Sequence, residues 1–275
     1  MKQEASLAAI SAGYDVFLLD LWGVVHDGTS LYPGVKSALQ QLRAQQKTVI
    51  FLSNAPRRTH KVKAVLNDLG VDELLYAKLV ASGEVGHQWL ASGRAPYGKH
   101  YYFVGAAKDA DVLEGLPFSR VDDIKQADFI LNTGFGSEEQ TADDFTALFH
   151  TAHGLSLPML CLNPDLEVIK ITGERFQCAG VLAQAYKQLG GAVKYFGKPY
   201  AEVYEFCLQG IEVDKSRILA VGDSLETDMP GGQAFGVDTM LITGGILKHL
   251  SYAEIMHECT HLGLRPTYIA PSLAG

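Results

Sequence analysis

The sequence is poor in cysteine and has no extended apolar run, and each of these features excludes a class of protein. Its 275 residues include four cysteines, which are scattered and form no CxxC pair, so neither a disulfide framework nor a cysteine-based zinc site is expected. No stretch approaches the roughly 20 apolar residues that a membrane span requires. The first residues include Glu4 and lack the apolar segment of a signal peptide. We therefore expect a cytoplasmic protein without membrane partners.

Positive charge is also scarce. The formal net charge at pH 7 is -8, and Lys and Arg form no long run, so nucleic acid and anionic membrane surfaces are not expected as partners. Hydrophobic residues make up 47% and charged residues 20%, which is typical of a globular protein with a sizeable core. In such an acidic chain, an anionic substrate would need a well-placed Lys or a metal ion.

Short apolar segments alternate with amphipathic ones along the chain. Helices are predicted from Pro33 to Gln46, at Arg58–Gly70 and at Glu138–His153. Strands are predicted at Val16–Asp20, Thr48–Leu52, Tyr101–Val104, Phe129–Leu131, Met159–Leu162, Val193–Phe196, Ile218–Val221 and Thr239–Ile242. This alternation predicts an α/β fold with mainly parallel sheets, and the number of strands favours two α/β units.

Four predicted strands are followed by polar groups suited to chemistry: Asp20, Ser53, Lys198 and Asp223. Ligands of open α/β sheets bind beyond the carboxyl ends of the strands, so these side chains would converge if their strands were neighbours in one sheet. Carboxylates that lie together repel one another unless a cation lies between them, and Mg²⁺ prefers oxygen ligands. Asp20 and Asp223, with Asp228 as a third acid, are therefore candidates to bind Mg²⁺.

The same residues suit phosphoryl transfer. Asp is a covalent nucleophile in aspartyl-phosphate enzymes, and Asp20 would keep one carboxylate oxygen free of the metal. Lys198 would neutralise Asp20 and the phosphoryl oxygens, to which Ser53 would donate a hydrogen bond. Each residue alone has an ordinary interpretation as a turn or helix-cap residue. The prediction of phosphoryl transfer therefore depends on finding all four residues in this order, each at the end of a predicted strand.

The order of these motifs resembles that of the haloacid dehalogenase (HAD) superfamily, and more closely that of its class IIA, or NagD-like, subgroup. The similarity covers nearly the whole chain. The matching segments are Asp20-Leu21-Trp22-Gly23-Val24, Phe51-Leu52-Ser53-Asn54, Gly197-Lys198-Pro199 and residues 221–228 (VGDSLETD), with Asn163-Pro164-Asp165 and Cys178-Ala179-Gly180 between the second and third motifs.

The resemblance implies a Rossmann-like core at residues 1–80 and 181–275, with an inserted α/β cap domain at 81–180. It implies a Mg²⁺-dependent phosphatase that acts on a small phosphorylated metabolite, such as a sugar or nucleotide-like phosphate, through an aspartyl-phosphate on its nucleophile. The sequence does not fix the substrate or the oligomeric state, for which a homodimer is one option.

The resemblance also implies a role for each matching residue. Asp20 would be the nucleophile, with Ser53 and Lys198 as its catalytic partners. Ser53, Asn54 and Lys198 would contact the phosphate, and Asn163 and Asp165 would bind substrate near the cap–core cleft. The metal ligands would be Asp20, the backbone oxygen of Trp22, Asp223 and Asp228.

Trp22 departs from the family pattern. The family's phosphatases carry an Asp at this position as general acid and base, whereas an indole cannot exchange a proton at neutral pH. Loss of such a group typically costs about 10²- to 10⁴-fold in rate. Three explanations stay open: His26 or Asp27 supplies the proton, the substrate has a good leaving group, or the protein binds a phosphorylated ligand with little turnover. A dehalogenase is a less favoured alternative, because such enzymes need no metal and this chain retains Asp223 and Asp228.

Two other motifs carry less weight. His257-Glu258-Cys259-Thr260-His261 matches the HExxH pattern of zinc proteases, but no Asp, Glu or His follows His261 as a third ligand. Gly134-Phe135-Gly136 lacks the third glycine of a dinucleotide-binding loop. Mg²⁺, expected from the three carboxylates and implied by the HAD resemblance, stays the predicted cofactor.

Overall fold

A computed structural model of the chain describes residues 2–3, 6–169 and 172–274. In chain order the strands are Lys2–Gln3 (β1), Val16–Leu19 (β2), Thr48–Ser53 (β3), Lys78–Ala81 (β4), His100–Val104 (β5), Ser119–Val121 (β6), Phe129–Asn132 (β7), Met159–Cys161 (β8), Glu167–Ile169 (β9), Arg175–Gln177 (β10), Val193–Tyr195 (β11), Ile218–Gly222 (β12), Asp238–Ile242 (β13) and Tyr268–Ala270 (β14). The α-helices are Leu7–Ile10 (α1), Val35–Ala44 (α2), Thr59–Asp68 (α3), Ser82–Ala91 (α4), Thr146–Gly154 (α5), Ala179–Gln188 (α6), Ala201–Leu208 (α7), Asp228–Phe235 (α8) and Tyr252–His261 (α9).

The described strands form two parallel sheets and one antiparallel hairpin. The larger sheet has the order β1-β14-β13-β12-β2-β3-β4, the smaller sheet has the order β11-β8-β7-β5-β6, and β9 pairs with β10. Every pair within the two sheets is parallel. The predicted α/β fold with parallel sheets is therefore confirmed.

The larger sheet places three of the four predicted strand ends side by side, because β12, β2 and β3 are neighbours. The sequence-based argument required the strand before Lys198 to lie in this sheet as well, and it does not. That strand is β11, which pairs with β8 in the smaller sheet. Lys198 must therefore reach Asp20 from a different sheet.

Burial explains why β2 is a continuous apolar run. A parallel sheet with helices on both faces leaves no side of a central strand in water. Phe17 and Leu19 pack in the same cluster as Leu39 of α2, whereas Leu18 packs in a second cluster with Val203 of α7. The carboxyl end of this strand is thus held rigidly from both faces, which fixes the position of the next residue, Asp20.

Along the chain, the strands of the smaller sheet come after α4 and before β12, the next strand of the larger sheet. We propose that the smaller sheet forms a cap unit, as the sequence predicts for residues 81–180. Because β11 pairs with β8, we propose that this unit also includes Val193–Tyr195, beyond the predicted boundary at residue 180.

The helix predicted from Glu138 begins later than expected. Helix α5 starts at Thr146 and is preceded by a 3-10 turn at Ala142–Phe145. The Asp144 carboxylate accepts a hydrogen bond from the backbone N–H of Thr141 at 2.8 Å, and this capping interaction fixes the turn. Six strands of four residues or fewer were not predicted from the sequence: β1, β4, β6, β9, β10 and β14. None of the helices in the described residues is long and apolar enough to cross a membrane.

Candidate active site

Three buried carboxylates meet at the carboxyl edge of the larger sheet. Asp20 directly follows β2, Asp223 directly follows β12, and Asp228 begins α8. Each offers a carboxylate oxygen, and these oxygens lie within 4.8 Å of one another. The N–H of Asp20 donates to the carbonyl of Val221 on β12 at 2.9 Å, so adjacent strands fix the spacing of the first two acids.

Lys198 lies between two of these carboxylates. Its Nζ atom is 2.5 Å from Oδ1 of Asp20 and 2.7 Å from Oδ1 of Asp228, and the whole residue is only 3% exposed. Burial lowers the pKa of the Lys198 ammonium, but the attraction of Asp20 and Asp228 outweighs it, and the net pKa is well above the usual value. Lys198 therefore carries its charge inside the site.

One ammonium does not balance three carboxylates. Burial raises the pKa of Asp20 well above its usual value; Lys198 opposes this shift, whereas Asp228 and Asp223 add to it. Burial, reinforced by Asp228, raises the pKa of Asp223 to about 7. The site is therefore short of positive charge.

A divalent cation fits this donor set. Mg²⁺ binds carboxylate oxygens and usually takes only one or two of them, with the rest of its shell from water and substrate. Among the described residues, none donates a hydrogen bond to Oδ2 of Asp20 or to Oδ1 of Asp223, so both oxygens are available as ligands. The carbonyl oxygen of Trp22 stays a predicted ligand.

Asn54 explains how Lys198 reaches Asp20 from the other sheet. The side-chain Oδ1 of Asn54 accepts from the backbone N–H of Lys198 at 2.7 Å, and its Nδ2 donates to the carbonyl of the same residue at 3.1 Å. The neighbouring Gly197 has φ +114°, and a Cβ atom there would lie 2.5 Å from Oδ1 of Asn54. Only glycine permits this approach. The predicted contact of Asn54 with phosphate stays a prediction, and its observed contacts position Lys198.

Asp165, which lies in the proposed cap unit, joins that unit to Asn54 and Thr227 of the larger-sheet loops. Its Oδ1 accepts from Asn54 Nδ2 at 2.8 Å and from the hydroxyl of Thr227 at 3.3 Å. Burial raises the pKa of the Asp165 carboxyl, while Lys198 and Asn54 lower it. Asn163 orders this turn, because its Oδ1 accepts from the N–H of Asp165 at 3.1 Å. The predicted roles of both residues in substrate binding stay predictions.

Ser53 lies on the strand next to Asp20. The register pairs Leu19 with Phe51, so Ser53 ends β3 one residue beyond the level of Asp20. Its hydroxyl accepts from the N–H of Ala55 at 3.2 Å, which leaves the hydroxyl proton able to point towards a phosphoryl oxygen. Its role as a phosphate donor stays a prediction.

The indole of Trp22 contacts the β9–β10 hairpin. Its Nε1–H donates to the carbonyl of Ile169, the last residue of β9, at 3.0 Å. Its ring lies edge-on to that of His26, with ring centroids 5.9 Å apart. The hydrogen bond of the Trp22 side chain therefore links the loop after β2 to the hairpin.

The contacts of His26 and Asp27 argue against either as a replacement acid. Nδ1 of His26 accepts from the N–H of Gly28 at 2.9 Å, and burial lowers the His26 pKa to about 4, so the ring is neutral at pH 7. Oδ1 of Asp27 accepts from the N–H groups of Thr29 and Ser30, at 2.9 and 2.8 Å. Asp27 thus stabilises a turn, as Asp often does.

The sequence-based argument missed the backbone that holds Asp223. Oδ2 of Asp223 accepts from the N–H of Ile246 at 2.7 Å. A Cβ atom on the preceding Gly245 would lie 2.0 Å from this oxygen. The glycine pair Gly244-Gly245 after β13 was the available signal, since paired glycines mark close backbone approach.

Comparisons with known proteins are consistent with this geometry. A family model described as haloacid dehalogenase-like hydrolase matches residues 17–119, and a second HAD-hydrolase-like model matches residues 195–275. The crystal structure of a hydrolase of the haloacid dehalogenase-like family from Brucella suis 1330 is 31% identical, covers 99% of both chains and superposes with a TM-score of 0.87. The chain therefore belongs to the haloacid dehalogenase-like hydrolase family, and the family predicted from the sequence is confirmed.

Curated relatives are more distant. Phosphoglycolate phosphatase 2 of Arabidopsis thaliana is 24% identical over 84% of this chain and 83% of its own length. Acid sugar phosphatase of Staphylococcus haemolyticus is 22% identical over 93% of this chain and 92% of its own length. The similarity thus extends through the smaller-sheet unit as well as the larger sheet.

Proposed function

We propose that this protein is a Mg²⁺-dependent phosphatase that hydrolyses small phosphomonoesters through an aspartyl-phosphate on Asp20. The observation that carries the proposal is the position of the Lys198 ammonium, which contacts Asp20 and Asp228, while Asp223 offers a carboxylate oxygen within 4.8 Å of theirs. A carboxylate, an ammonium and a set of oxygen ligands are the parts that phosphoryl transfer to a carboxylate needs.

In the proposed mechanism, Asp20, Asp223 and Asp228, with the Trp22 carbonyl, would hold Mg²⁺, which supplies charge stabilisation to the phosphoryl oxygens. A carboxylate oxygen of Asp20 attacks phosphorus, and the bond from phosphorus to the leaving-group oxygen breaks with its electron pair. Water then attacks the aspartyl-phosphate, which releases inorganic phosphate and restores Asp20. Lys198 and Ser53 bind and orient the phosphoryl group, and Asn54 positions Lys198.

The leaving group of the first step receives no proton from position 22. The Trp22 N–H is bound to Ile169, and the buried, neutral His26 cannot replace an acid. We therefore expect preference for leaving groups that depart as stable anions, such as p-nitrophenolate. Alkyl phosphates should react more slowly by about 10²-fold or more, the usual contribution of a general acid.

The relatives support phosphate monoesters as the substrate class, since one is named a phosphoglycolate phosphatase and another an acid sugar phosphatase. A steady-state panel of p-nitrophenyl phosphate, sugar phosphates and phosphoglycolate tests the proposal, with Mg²⁺ or with a chelator. Asp20→Asn is the inactive control. Turnover by this variant, or unchanged turnover with a chelator, would contradict the proposed mechanism.

A second candidate function is a binding or regulatory protein with little turnover, which Trp22 favours because it replaces the family's general acid. The same panel separates the two functions. Mg²⁺-dependent binding of a phosphorylated ligand without release of phosphate would support the second. Dehalogenation is less favoured, because the retained Asp223 and Asp228 have no use in chemistry without a metal.

A further inference from the structure

We propose that Trp22 is a positioning residue that holds the β9–β10 hairpin (strands Glu167–Ile169 and Arg175–Gln177) against the loop that follows β2 and Asp20. Trp22 lies two residues after Asp20, and its indole N–H donates to the carbonyl of Ile169 at 3.0 Å. This bond joins two segments 147 residues apart. Its effect on turnover rests on the proposed phosphatase function, whereas its effect on the hairpin does not.

The loop that carries Trp22 is built around the indole. Gly28 has φ +92°, and a Cβ atom there would lie 2.6 Å from two carbons of the ring. On another side, the His26 ring contacts the indole edge-on at an interplanar angle of 70°. The indole therefore fills a space that the loop leaves for it, which orients its N–H.

The hairpin needs such an anchor. In the described part of the chain, β9 and β10 pair only with each other and join neither sheet, and an isolated two-stranded hairpin is marginally stable. An ion pair between Arg175 and Glu167 links its two strands but does not place them against the larger sheet. The Trp22 bond does so at the end of β9.

A second contact fixes the start of the same segment. Asp165, two residues before β9, accepts from Asn54 and Thr227, which belong to loops beyond β3 and β12 of the larger sheet. Residues 165–169 are thus attached at both ends to loops that surround Asp20. Trp22 has replaced the acid of the family pattern with a bond that positions the hairpin.

Hydrogen–deuterium exchange on the metal-free, full-length protein tests this assignment without any assay of activity. Trp22→Phe keeps an aromatic ring and removes the donor. Loss of one hydrogen bond of ordinary strength should make the amides of the hairpin exchange about five-fold faster, the equivalent of about 1 kcal/mol. Exchange in the strands of the larger sheet should stay unchanged.

Trp89→Phe is the matched control, because Trp89 is the other tryptophan of the chain and packs against Phe196 with ring centroids 5.4 Å apart. It should leave hairpin exchange unchanged. Equal hairpin exchange in Trp22→Phe and the natural protein would overturn the proposal, and so would faster exchange spread evenly over the whole molecule, which would indicate a general packing role.

Gly28→Ala is a second variant. It keeps the Trp22 side chain in the sequence, but the new methyl group pushes the indole ring out of its position. It should also speed hairpin exchange about five-fold, as expected for the same lost hydrogen bond. Gly93→Ala is its control, because Gly93 also has a positive φ, +69°, but no atom lies within 4 Å of the new Cβ. This variant should leave hairpin exchange unchanged. If Trp22→Phe fails to fold, the Gly28→Ala result alone decides the proposal.

Kinetics then connect the hairpin to catalysis. In Trp22→Phe we expect KM for p-nitrophenyl phosphate to rise by up to about five-fold while kcat changes less, because without the hydrogen bond the hairpin occupies its anchored position for a smaller fraction of the time. An unchanged KM together with faster hairpin exchange would overturn the catalytic part of the proposal. Absence of any phosphatase activity in the natural protein would refute the proposed function and leave the exchange result standing.

Discussion

The α-carbon of Gly23 lies so close to the carboxylate of Asp223 that a Cβ atom would be 1.9 Å from its Oδ2. Gly245 approaches the same oxygen from another loop, where a Cβ atom would be 2.0 Å away. The carboxylate of Asp223 is therefore confined by backbone on two sides, and the N–H of Ile246 fixes its rotation. Such confinement pre-organises a ligand for a cation.

Gly23→Ala should displace Asp223 and weaken Mg²⁺ binding about 10- to 100-fold, the usual effect of disturbing the partners of a metal ligand. Mg²⁺ titrations of activity and calorimetry measure this directly. Gly210→Ala is the control, because Gly210 also has a positive φ, +79°, but no atom lies within 4 Å of its new Cβ. Equal Mg²⁺ affinity in both variants would show that the close approach has no functional consequence.

Asn54→Ala should reduce kcat by about 10- to 100-fold, because displacement of a catalytic group by about 1 Å can have an effect of this size. The substitution also leaves the backbone N–H of Lys198 without its partner, which should lower the free energy of unfolding by about 1–3 kcal/mol. Steady-state kinetics and urea unfolding measure the two effects. Asn67→Ala removes an exposed amide with one long contact to Glu73 and should change neither. Normal kcat in Asn54→Ala would contradict its positioning role.

Mg²⁺ affinity should rise with pH below about 7. Burial, with Asp228, raises the pKa of Asp223 to about 7 in the metal-free fold, so below this pH the ion must displace a proton from its ligand. One displaced proton gives about a ten-fold rise in affinity per pH unit. Calorimetry at about pH 5 and about pH 6, both below this pKa, should show this difference. Equal affinities would mean that Asp223 is already ionised at the lower pH.

The sequence predicted the carboxylates better than it predicted the lysine. Asp20 and Asp223 follow fully buried strands of four and five residues, and strands of one parallel sheet carry their ends to the same edge. Lys198 follows β11, a three-residue strand that pairs in the smaller sheet. Its route to Asp20 depends on the side chain of Asn54, and no periodicity of the chain records such a contact.

The contact of Trp22 with Ile169 lies beyond sequence patterns for a similar reason. The motif showed that an indole stands where the family has an acid, which defined what is missing. What the indole does instead depends on where the hairpin folds relative to the loop after β2. A hydrogen bond between residues 147 positions apart requires the tertiary structure.

Lys198→Met should destabilise the metal-free protein by about 3–5 kcal/mol near pH 7, because it leaves buried carboxylates without their cation. Burial raises the folded-state pKa of both Asp20 and Asp223 above that of the unfolded chain. For each carboxyl, the folded protein therefore binds more protons than the unfolded chain at any pH between the unfolded-state pKa and the folded-state pKa. Its contribution to stability falls as pH rises through this range.

The deficit of Lys198→Met should consequently shrink at about pH 5, where protonation removes the repulsion, and Mg²⁺ should restore part of it near pH 7. Urea unfolding at the two pH values, with and without Mg²⁺, measures both effects. Lys61→Met is the control: its ion pair with Asp111 is partly exposed, so its loss should cost less than about 1 kcal/mol at either pH. A deficit for Lys198→Met that is equal at both pH values would mean that Lys198 does not stabilise ionised carboxylates.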